Sequence, residues 1–564
     1  MPARALLRRS VPLALLAAFW LQGAYLVFRT GVTYDEPVHI AAGFRYWHDG
    51  LGFFTHQNPP LMDYLRALPL LALRPSSPQA PRGQELFVSA DTYGQMFLFG
   101  NRLAPRLLLR SARMMSLLLG LLLAVVLWRW TASVAGETAG TAALFCFAFD
   151  PNMLAHCTLA TSDMGVPAFA LMSLAAWERH LTLRTPGWAC AAGLAAGAAL
   201  TSKATGLVLL PAMAASLLWA RAAAWRASPA SAKTDLIPLA WAWLSAAAVL
   251  LVVYPPAQLH RYLEMVRFHL VDLTRPIPTF LFGRVYPQGH PLYYPAVILM
   301  KTPLPLLGLA GLGLLRLRAR PDRTHALRAL FTFLVLLLIA VLRSQRQLGV
   351  RYLLPLYPAF CALAGIGVAA LWERPLGRRV ALAAAACLLG GSLAVFPFPL
   401  TYFNALAGLP SRGQQVLADH NLDWGQALPE LQAFLARNPG GLILSYFGKD
   451  CPEAYGLEAQ HIFSTPGLCT GQPTLLPPDI GREWLAIGAT KWQGAFETGA
   501  PVFGWLRART PAATLGRSLF VYDVTEDADA HRQLAGMYET LGNPAAAARE
   551  RARAGRIEAA HGTR

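Results

Sequence analysis

The sequence predicts a polytopic α-helical membrane protein with a folded C-terminal part outside the bilayer. Only 14% of its 564 residues are charged and 55% are hydrophobic, whereas soluble proteins usually carry about 25% charged residues. Apolar runs long enough to cross a bilayer recur along residues 1–400 and then stop. From residue 401 the pattern changes to alternating short helices and strands, which is typical of a water-exposed α/β domain.

Eleven apolar runs in the sequence have a length suited to transmembrane helices. The first run follows Arg8 and Arg9 and has no small-residue cleavage site after it, so we interpret it as a retained helix rather than a signal peptide. The runs are residues 11–29, 111–130, 138–156, 164–180, 186–201, 204–222, 236–255, 291–315, 327–342, 350–372 and 379–398. An odd number of crossings would put the two chain ends on opposite sides of the membrane.

The distribution of Lys and Arg predicts on which side of the membrane each loop lies. The net charge of +18 is ordinary for a membrane protein, because Lys and Arg collect in cytoplasmic loops, and it does not by itself indicate a nucleic-acid partner. With the N-terminus in the cytoplasm, every segment expected on that side is basic. The C-terminal part and the long loops at 30–110 and 256–290 then lie outside, and Leu61–Leu73 is predicted as an amphipathic helix in the interface.

The C-terminal part is predicted to contain two units. Residues 401–526 form a small α/β domain, and residues 527–564 form one helical hairpin of the tetratricopeptide type. Cys451 and Cys469 are the two cysteines of this part, and outside the cytoplasm they could form a disulfide. The expected elements are a helix at Trp424–Arg437 and strands at Gly441–Phe447, Glu483–Ala489 and Ser518–Val524.

Several common site types are not indicated by the sequence. It contains no zinc-type spacing of Cys and His, no Walker loop and no GxGxxG after a strand, so a cytosolic nucleotide-sugar site is unsupported. Asp527 and Asp529 have the spacing of a nucleotide-sugar metal motif, but they follow the last predicted strand, and we interpret them as a solvated loop. We expect no metal site and no other cofactor.

Acidic residues at the predicted outer ends of the spans are the first candidates for chemistry. Asp35 and Glu36 follow the first span directly, in TYDEP. They are either a general base or acceptor-orienting group at the mouth of a cavity, or a helix-end acidic pair in water. On a helix the two side chains diverge, so we expect only one of them to face a site.

Further polar residues lie in the first outside loop and between the third and fourth spans. His56 and Asn58 lie in FFTHQNPPL, where the prolines fix an extended turn, and the turn could be structural or line the same cavity. Asp150, His156 and Asp163 form an ionisable cluster at membrane depth, which is a functional candidate. His156 could equally be a packed histidine, and Asp163 could be a helix N-cap.

Basic residues near the same face are candidates for phosphate binding. Lys203 follows the fifth span, and it either snorkels to the interface or binds an anion. Arg343, Arg346 and Arg351 lie outside against the orientation rule, close enough in sequence to surround one phosphate group. Arg284 and Lys301 are further basic candidates, and Tyr352 follows Arg351 at the start of the tenth span.

In this order and topology, the residues resemble the GT-C glycosyltransferases. The carboxylate pair after the first span, the polar Pro-Pro turn, Asp163, Lys203 and the motif RYLLPLYP carry the resemblance. It is to the bacterial branch related to protein O-mannosyltransferases and lipid A aminoarabinose transferases, and it covers about residues 1–400. The stretches YFNALAG, NLDWGQ, WLAIGAT and SLFVYDV are similar to the C-terminal domain of uncharacterised bacterial members.

The resemblance implies a fold, an activity and roles for the candidate residues. It implies a GT-C type helical module that transfers a sugar from a polyprenyl-phosphate carrier to an envelope glycolipid, glycan or protein, at the outer face of a bacterial inner membrane. Catalytic roles fall to Asp35, Glu36 and Asp163, donor-phosphate binding to Lys203, Arg351, Arg346, Arg284 and Lys301, and cavity lining to His56, Asn58, His156 and Tyr352. The role of His56 is open, because the family often has HPP where this chain has HQNPP.

Three other functions remain compatible with the sequence, and the nearest is an envelope sugar-polymer ligase, which shares the donor class and differs in the acceptor. A transporter or flippase for a lipid-linked substrate would place its polar residues near mid-membrane, often in two related halves. Here the candidates cluster at the outer face, and the sequence shows no half-repeat. A non-catalytic assembly protein that holds a lipid carrier would depend most on the outside domain and the helical tail.

Overall fold

The computed structural model describes residues 2–50, 58–78, 89–227, 236–272, 274–318, 321–408, 410–465, 474–477, 479–494 and 502–562. Up to Val395 the described chain is predominantly helical. The helices of this part are α1 (Pro2–Arg29), α2 (Glu36–Asp49), α3 (Leu61–Leu73), α4 (Ala90–Phe99), α5 (Pro105–Ala135), α6 (Glu137–Ala148), α7 (Pro151–Cys157), α8 (Gly165–Leu183), α9 (Pro186–Leu200), α10 (Leu209–Ala227), α11 (Ile237–Val253), α12 (Leu259–Asp272), α13 (Tyr293–Lys301), α14 (Leu304–Arg318), α15 (Pro321–Arg343), α16 (Tyr357–Trp372) and α17 (Pro375–Val395).

Several of these helices can cross a membrane, which confirms the predicted polytopic helical class. Four described segments are long and apolar enough alone: Ser10–Arg29, Pro105–Ala135, Leu354–Trp372 and Pro375–Val395. Three helix pairs pass the same test together but bend by 120°, 81° and 103° between their two helices: α7 with α8, α11 with α12, and α13 with α14. The described residues therefore support four to seven spans, and the expected eleven are not confirmed.

The bend between α13 and α14 shows why hydrophobicity alone miscounts spans. The sequence predicts one span over 291–315, but the helix stops at Lys301 and restarts at Leu304. Thr302 precedes Pro303 and is extended, with φ −88° and ψ 133°. A proline ring disfavours the helical conformation at the residue before it, so the apolar run continues while the helix turns.

In the described residues of the first long loop, three short helices, α2, α3 and α4, pack against the bundle. Helix α3 has the bounds predicted for the amphipathic segment. It crosses α2 at Gly43, where a Cβ atom would lie 2.1 Å from the Asp63 carbonyl oxygen. This close approach allows no side chain at position 43. The crossing fixes α2, which carries Glu36 at its first position and follows Asp35 directly.

A mixed sheet lies in the C-terminal part of the chain. Its strands are β3 (Gly441–Ser445), β4 (Gln460–His461), β5 (Glu483–Gly488), β6 (Ala513–Leu515) and β7 (Leu519–Asp523), while β1 (Thr279–Leu281) and β2 (Arg284–Tyr286) form a separate hairpin. The five strands lie in the order β4-β3-β5-β7-β6, with β3 parallel to β4 and β5, and with β7 antiparallel to β5 and β6. Helices α18 (Leu428–Leu435) and α19 (Ala489–Gln493) complete this part.

Two details of this part differ from expectation. The helix predicted from Trp424 begins only at Leu428, because Gly425 has a φ of +92° that a helix cannot contain. Asp527 is not in a solvated loop: it caps the following helix by accepting from the Ala530 amide at 2.8 Å and pairs with Arg509. Cys451 is disulfide-bonded, and Cys469 lies outside the described residues.

Two helices follow the sheet as a hairpin, α20 (Ala528–Thr540) and α21 (Pro544–Gly562). A buried cluster joins it to the sheet: His531 lies 2.6 Å from Glu550 and 3.0 Å from Glu483 of β5. Burial alone would lower the pKa of His531, but its hydrogen bonds to both carboxylates raise that pKa to about 9. The hairpin is thus fastened to the sheet by a protonated histidine between two carboxylates.

We predict that this junction weakens at alkaline pH. A raised histidine pKa adds stability that is complete below the unfolded value of about 6.5 and is lost as the pH rises through about 9, a change of roughly 3 kcal/mol. Thermal unfolding of the full chain in lipid nanodiscs, scanned from pH 6 to about pH 10, should show this loss. His531→Gln should remove the slope and His461→Gln, on edge strand β4, should keep it; an identical slope in His531→Gln would contradict the assignment.

Candidate active site

A cavity of about 690 Å³ lies where the helical bundle meets the C-terminal part. Three parts of the chain line it: the segment after α1 with the first loop, the ends of the bundle helices, and the C-terminal part. The polar and aromatic lining residues include Tyr34, Asp35, His39, Asn58, Asp91, Lys203, His269, Asp272, Arg346, Arg351, Tyr352, Asp419, His420, Trp424 and Lys491. Residues far apart in the sequence therefore share one water-accessible site.

Asp35 is the carboxylate of the first pair that faces the cavity. Its Oδ2 accepts a hydrogen bond from Nη1 of Arg351 at 2.8 Å, and 28% of the side chain remains exposed. Burial raises the pKa of Asp35, but Arg351, His420 and His39 together hold the pKa below its usual value. The group is thus an anion that can accept a hydrogen bond from a molecule in the cavity.

Glu36 turns the other way, as the expected divergence of the two side chains requires. Arg113 of α5 donates to it from Nε at 2.7 Å and from Nη2 at 2.6 Å. The amides of Thr33 and Ala160 each donate at 2.8 Å. Glu36 is completely buried and does not line the cavity. This arrangement holds the chain after α1 against α5, and it does not bring Glu36 to the site.

Asp163 pairs with two of the cations that line the cavity. Its Oδ1 accepts from Nζ of Lys203 at 2.7 Å and from Nε of Arg351 at 3.1 Å. The Thr161 hydroxyl donates to Oδ2 at 2.9 Å. Asp163 is buried behind the cavity wall, whereas Lys203 and Arg351 reach the cavity. The carboxylate is therefore a shared counter-ion and not a helix N-cap.

Aromatic rings hold the same two cations from the other side. The Lys203 ammonium lies 4.5 Å from the centre of the Tyr352 ring, and the Arg351 guanidinium lies 4.7 Å from the centre of the Trp424 ring. A cation over an aromatic face is attracted by the ring quadrupole, and the attraction grows when water is excluded. Both cations are thereby fixed in orientation before any ligand binds.

Two further predicted residues lie on the cavity wall. Arg346 donates through Nη1 to Asp272 at the end of α12, and both line the cavity. Asn58 accepts from the Ser162 hydroxyl at 3.3 Å, next to Asp163. They widen the polar part of the wall around Lys203 and Arg351.

Other candidates are not brought to the cavity. Lys301 is buried and donates to the carbonyl oxygens of Leu400 and Asn421, at 2.8 Å and 2.6 Å. His156 is buried too, and neither of its ring nitrogens has a hydrogen-bond partner within the described part of the chain. Arg284 lies exposed on the β1–β2 hairpin. His56 lies outside the described residues. Among the residues described, no group of three or more His, Cys, Asp or Glu side chains could hold a metal ion.

Sequence reasoning missed the contribution of the C-terminal part. Asp419, His420, Trp424 and Lys491 all line the cavity. The first three lie in ADHNLDWGQ, which begins at residue 418, beyond the last apolar run at 379–398. Two acids, a histidine and a tryptophan within nine residues at a predicted outer surface are the signal that could have indicated a site. His39, Asp91, His269 and Asp272 carried no comparable signal.

Hydrogen bonds fasten this stretch to both walls of the cavity. The Tyr34 amide donates to the Trp424 carbonyl at 3.0 Å, which joins it to the segment that carries Asp35. The Val350 amide donates to Oδ1 of Asn421 at 3.0 Å, next to Arg351. The stretch 419–424 therefore closes the gap between the two sides of the site.

Residues 98–258 match the family model described as dolichyl-phosphate-mannose-protein mannosyltransferase. The match covers less than half of the chain, from α4 to the end of α11 and just beyond. It includes Asp163 and Lys203. The predicted resemblance to the protein O-mannosyltransferases is thereby confirmed for this part of the chain.

Solved structures give distant likenesses. A crystal structure of ArnT from Cupriavidus metallidurans bound to undecaprenyl phosphate is 14% identical with a TM-score of 0.45, over 92% of this chain and 98% of that chain. The apo oligosaccharyltransferase of Archaeoglobus fulgidus is 14% identical with a TM-score of 0.43, over 68% of this chain. The chain spans about half (54%) of the length of that oligosaccharyltransferase. Among curated proteins no sequence match was found. At these scores the structural likenesses carry no argument about the site.

The contacts of Glu36 predict a structural role for this residue. Glu36→Ala leaves Arg113 buried without its partner, which typically costs about 3–5 kcal/mol, so the thermal unfolding midpoint in lipid nanodiscs should fall by several degrees. The matched control is Asp49→Ala, on the same helix, whose exposed pair with Arg45 should be worth less than about 1 kcal/mol. A Glu36→Ala protein with the wild-type midpoint would show that the pair is not structural.

Proposed function

We propose that the chain is a membrane glycosyltransferase that transfers a sugar from a polyprenyl-phosphate carrier to an envelope glycolipid, glycan or protein. One observation carries the proposal. The partly exposed carboxylate of Asp35 lies in a cavity at the ends of apolar helices, together with the cations Lys203 and Arg351, which are held by ion pairs. The family-model match to mannosyltransferases that use dolichyl-phosphate-mannose supports the donor class.

The donor phosphate would bind at the cationic side of the cavity. Lys203, Arg351 and Arg346 line that side, with Tyr352 beside them. When the bond from the sugar to the phosphate breaks, negative charge grows on the phosphate that leaves. Cations that are already oriented stabilise this charge without reorganisation, which is usually the largest contribution in such sites. Asp163, as the buried counter-ion of two of these cations, would be a positioning residue.

The acceptor would bind at the side of Asp35. A carboxylate with one oxygen on Arg351 and partial exposure to the cavity can accept the hydrogen bond of an acceptor hydroxyl. This contact would orient the hydroxyl oxygen toward the anomeric carbon of a sugar whose phosphate lies on Arg351. Arg351 would contact both the donor phosphate and Asp35. The acceptor hydroxyl on Asp35 would therefore lie within reacting distance of the anomeric carbon of the donor.

The charge at the opposite helix ends supports an extracytoplasmic cavity. Helices α8, α14 and α17 carry arginine at the end farther from the cavity, at Arg184, at Arg316 with Arg318, and at Arg374. Basic helix ends favour the cytoplasmic side. A site on the outer face of an inner membrane has no access to cytosolic nucleotide sugars, which suits a lipid-linked donor.

Asp35→Asn tests the proposed reaction. The purified protein in lipid would be given a panel of polyprenyl-phosphate sugars and acceptor extract from a bacterial envelope. Wild type should transfer sugar, and Asp35→Asn should lower kcat by about tenfold or more, since a charged hydrogen bond to the acceptor is lost. Asp49→Asn, on the exposed side of α2, should keep wild-type kcat. Binding of lipid phosphate without transfer from any donor would instead favour a transporter or an assembly protein.

Lys203→Met tests the phosphate side. Loss of one charged contact of about 1.5–3 kcal/mol should weaken binding of the unglycosylated polyprenyl phosphate by roughly 10- to 150-fold. Binding can be measured by competition with a fluorescent polyprenyl phosphate in nanodiscs. Arg284→Met removes an exposed cation away from the cavity and should leave the affinity unchanged. Equal losses of affinity in both variants would mean that the overall positive charge of the protein, and not the Lys203 site, attracts the phosphate.

A further inference from the structure

A second titratable pair faces the cavity from the C-terminal part. Nδ1 of His420 is hydrogen-bonded to Oδ2 of Asp419, and the ring packs 4.8 Å from the centre of the Trp424 ring. The Asp419 backbone has a φ of +56°, and its amide donates to the Thr490 hydroxyl at 3.1 Å. Left-handed backbone is uncommon for a residue other than glycine, and it persists where surrounding contacts enforce it. The pair is therefore held in a set orientation.

The carboxylate selects one form of the imidazole. A histidine whose Nδ1 faces an aspartate keeps its proton on that nitrogen, so Nε2 carries the lone pair. Because Nδ1 is taken by Asp419, Nε2 is the nitrogen that can reach a molecule in the cavity. A nitrogen base oriented by a second group is the arrangement that activates hydroxyl nucleophiles in unrelated enzymes.

Asp35 is the weaker proton acceptor of the two candidates. Its hydrogen bond to Arg351 at 2.8 Å stabilises the anion, and a carboxylate that is stabilised in this way holds a proton poorly near neutral pH. Imidazole is the side chain most often used to move protons in that range. His420 also lies near enough to Asp35 to influence it electrostatically. The acceptor hydroxyl has one proton, so it would donate to Asp35 as it binds and to Nε2 of His420 as it reacts.

We infer that His420 is the general base of the transfer, with Asp419 as its positioning residue; the inference rests on the proposed function. In the step, the acceptor oxygen forms a bond to the anomeric carbon, and the bond from that carbon to the phosphate oxygen breaks. The hydroxyl proton moves to Nε2, and the imidazolium pairs with Asp419. The electron pair of the broken bond leaves with the polyprenyl phosphate, whose charge is met by Lys203 and Arg351.

The charged groups around His420 come from every wall of the cavity. Asp419 is its direct partner. Asp35 and Asp91 belong to the segment after α1 and to α4, Arg351 to the segment before α16, and Lys491 to α19. His420 therefore shares the cavity with both anions and cations, and an imidazolium formed in the step pairs with Asp419.

His420→Gln in the full chain tests the inference. The variant should bind polyprenyl phosphate like wild type and should lower kcat by roughly 10²- to 10⁴-fold, the contribution of a general base. In His420→Gly, added imidazole should restore part of kcat, which a merely structural histidine would not allow. His461→Gln, a half-buried histidine of β4 bound to Ser464, is the matched control and should keep wild-type kcat.

The outcomes separate the two proposals. No transfer by wild type with any donor overturns the proposed function, and the inference with it. Transfer by wild type together with unchanged kcat in His420→Gln overturns the inference alone. If His420→Gln shows no thermal unfolding transition, that variant is not folded and cannot test the role of the imidazole. Asp419→Asn is then the deciding variant, because it keeps the imidazole and changes its hydrogen-bond partner. A fall in kcat at unchanged donor affinity then supports the inference, and wild-type kcat contradicts it.

Discussion

The site depends on one buried carboxylate. Asp163 binds Lys203 and Arg351 through the same oxygen, and Arg351 in turn binds Asp35. Three helical segments and the first loop are therefore joined by a single chain of ion pairs. Burying these charges costs free energy, and only their mutual pairing offsets that cost. Once paired, the cations are oriented in advance, which is the condition under which a low-dielectric site stabilises a leaving anion.

Two aromatic rings add a packing constraint to the ion pairs of the site. Trp424 and Tyr352 lie against the two cations and keep bulk water from one side of each. With less water around them, the cations act on a bound phosphate more strongly than exposed residues would. Trp424 comes from the C-terminal part, so the electrostatics of the bundle depend on a residue that lies beyond its last helix.

The sequence predicts the architecture better than the connections within it. Strands β5 and β7 follow from short runs of β-branched and aromatic residues, and α3 follows from its apolar period, because both signals are local. The pairing of Asp35 with Arg351 joins residues 316 positions apart, and no local pattern encodes it. Lys301 was a candidate for phosphate binding because it interrupts an apolar run, but such a run cannot show that two carbonyl oxygens of the chain satisfy the ammonium.

Asn421 joins the C-terminal part to the helical bundle by hydrogen bonds. Its side chain accepts from Val350 and donates to Tyr293, while its carbonyl accepts from Lys301. Asn421 thus lies in the C-terminal part of the sequence, but these hydrogen bonds connect it to residues of the bundle. A division of the chain into a catalytic module and an accessory module would cut through the wall of the site itself. Exchange of either half between related chains by recombination would preserve the cavity only if the stretch 419–424 and the bundle residues that bind it were inherited together.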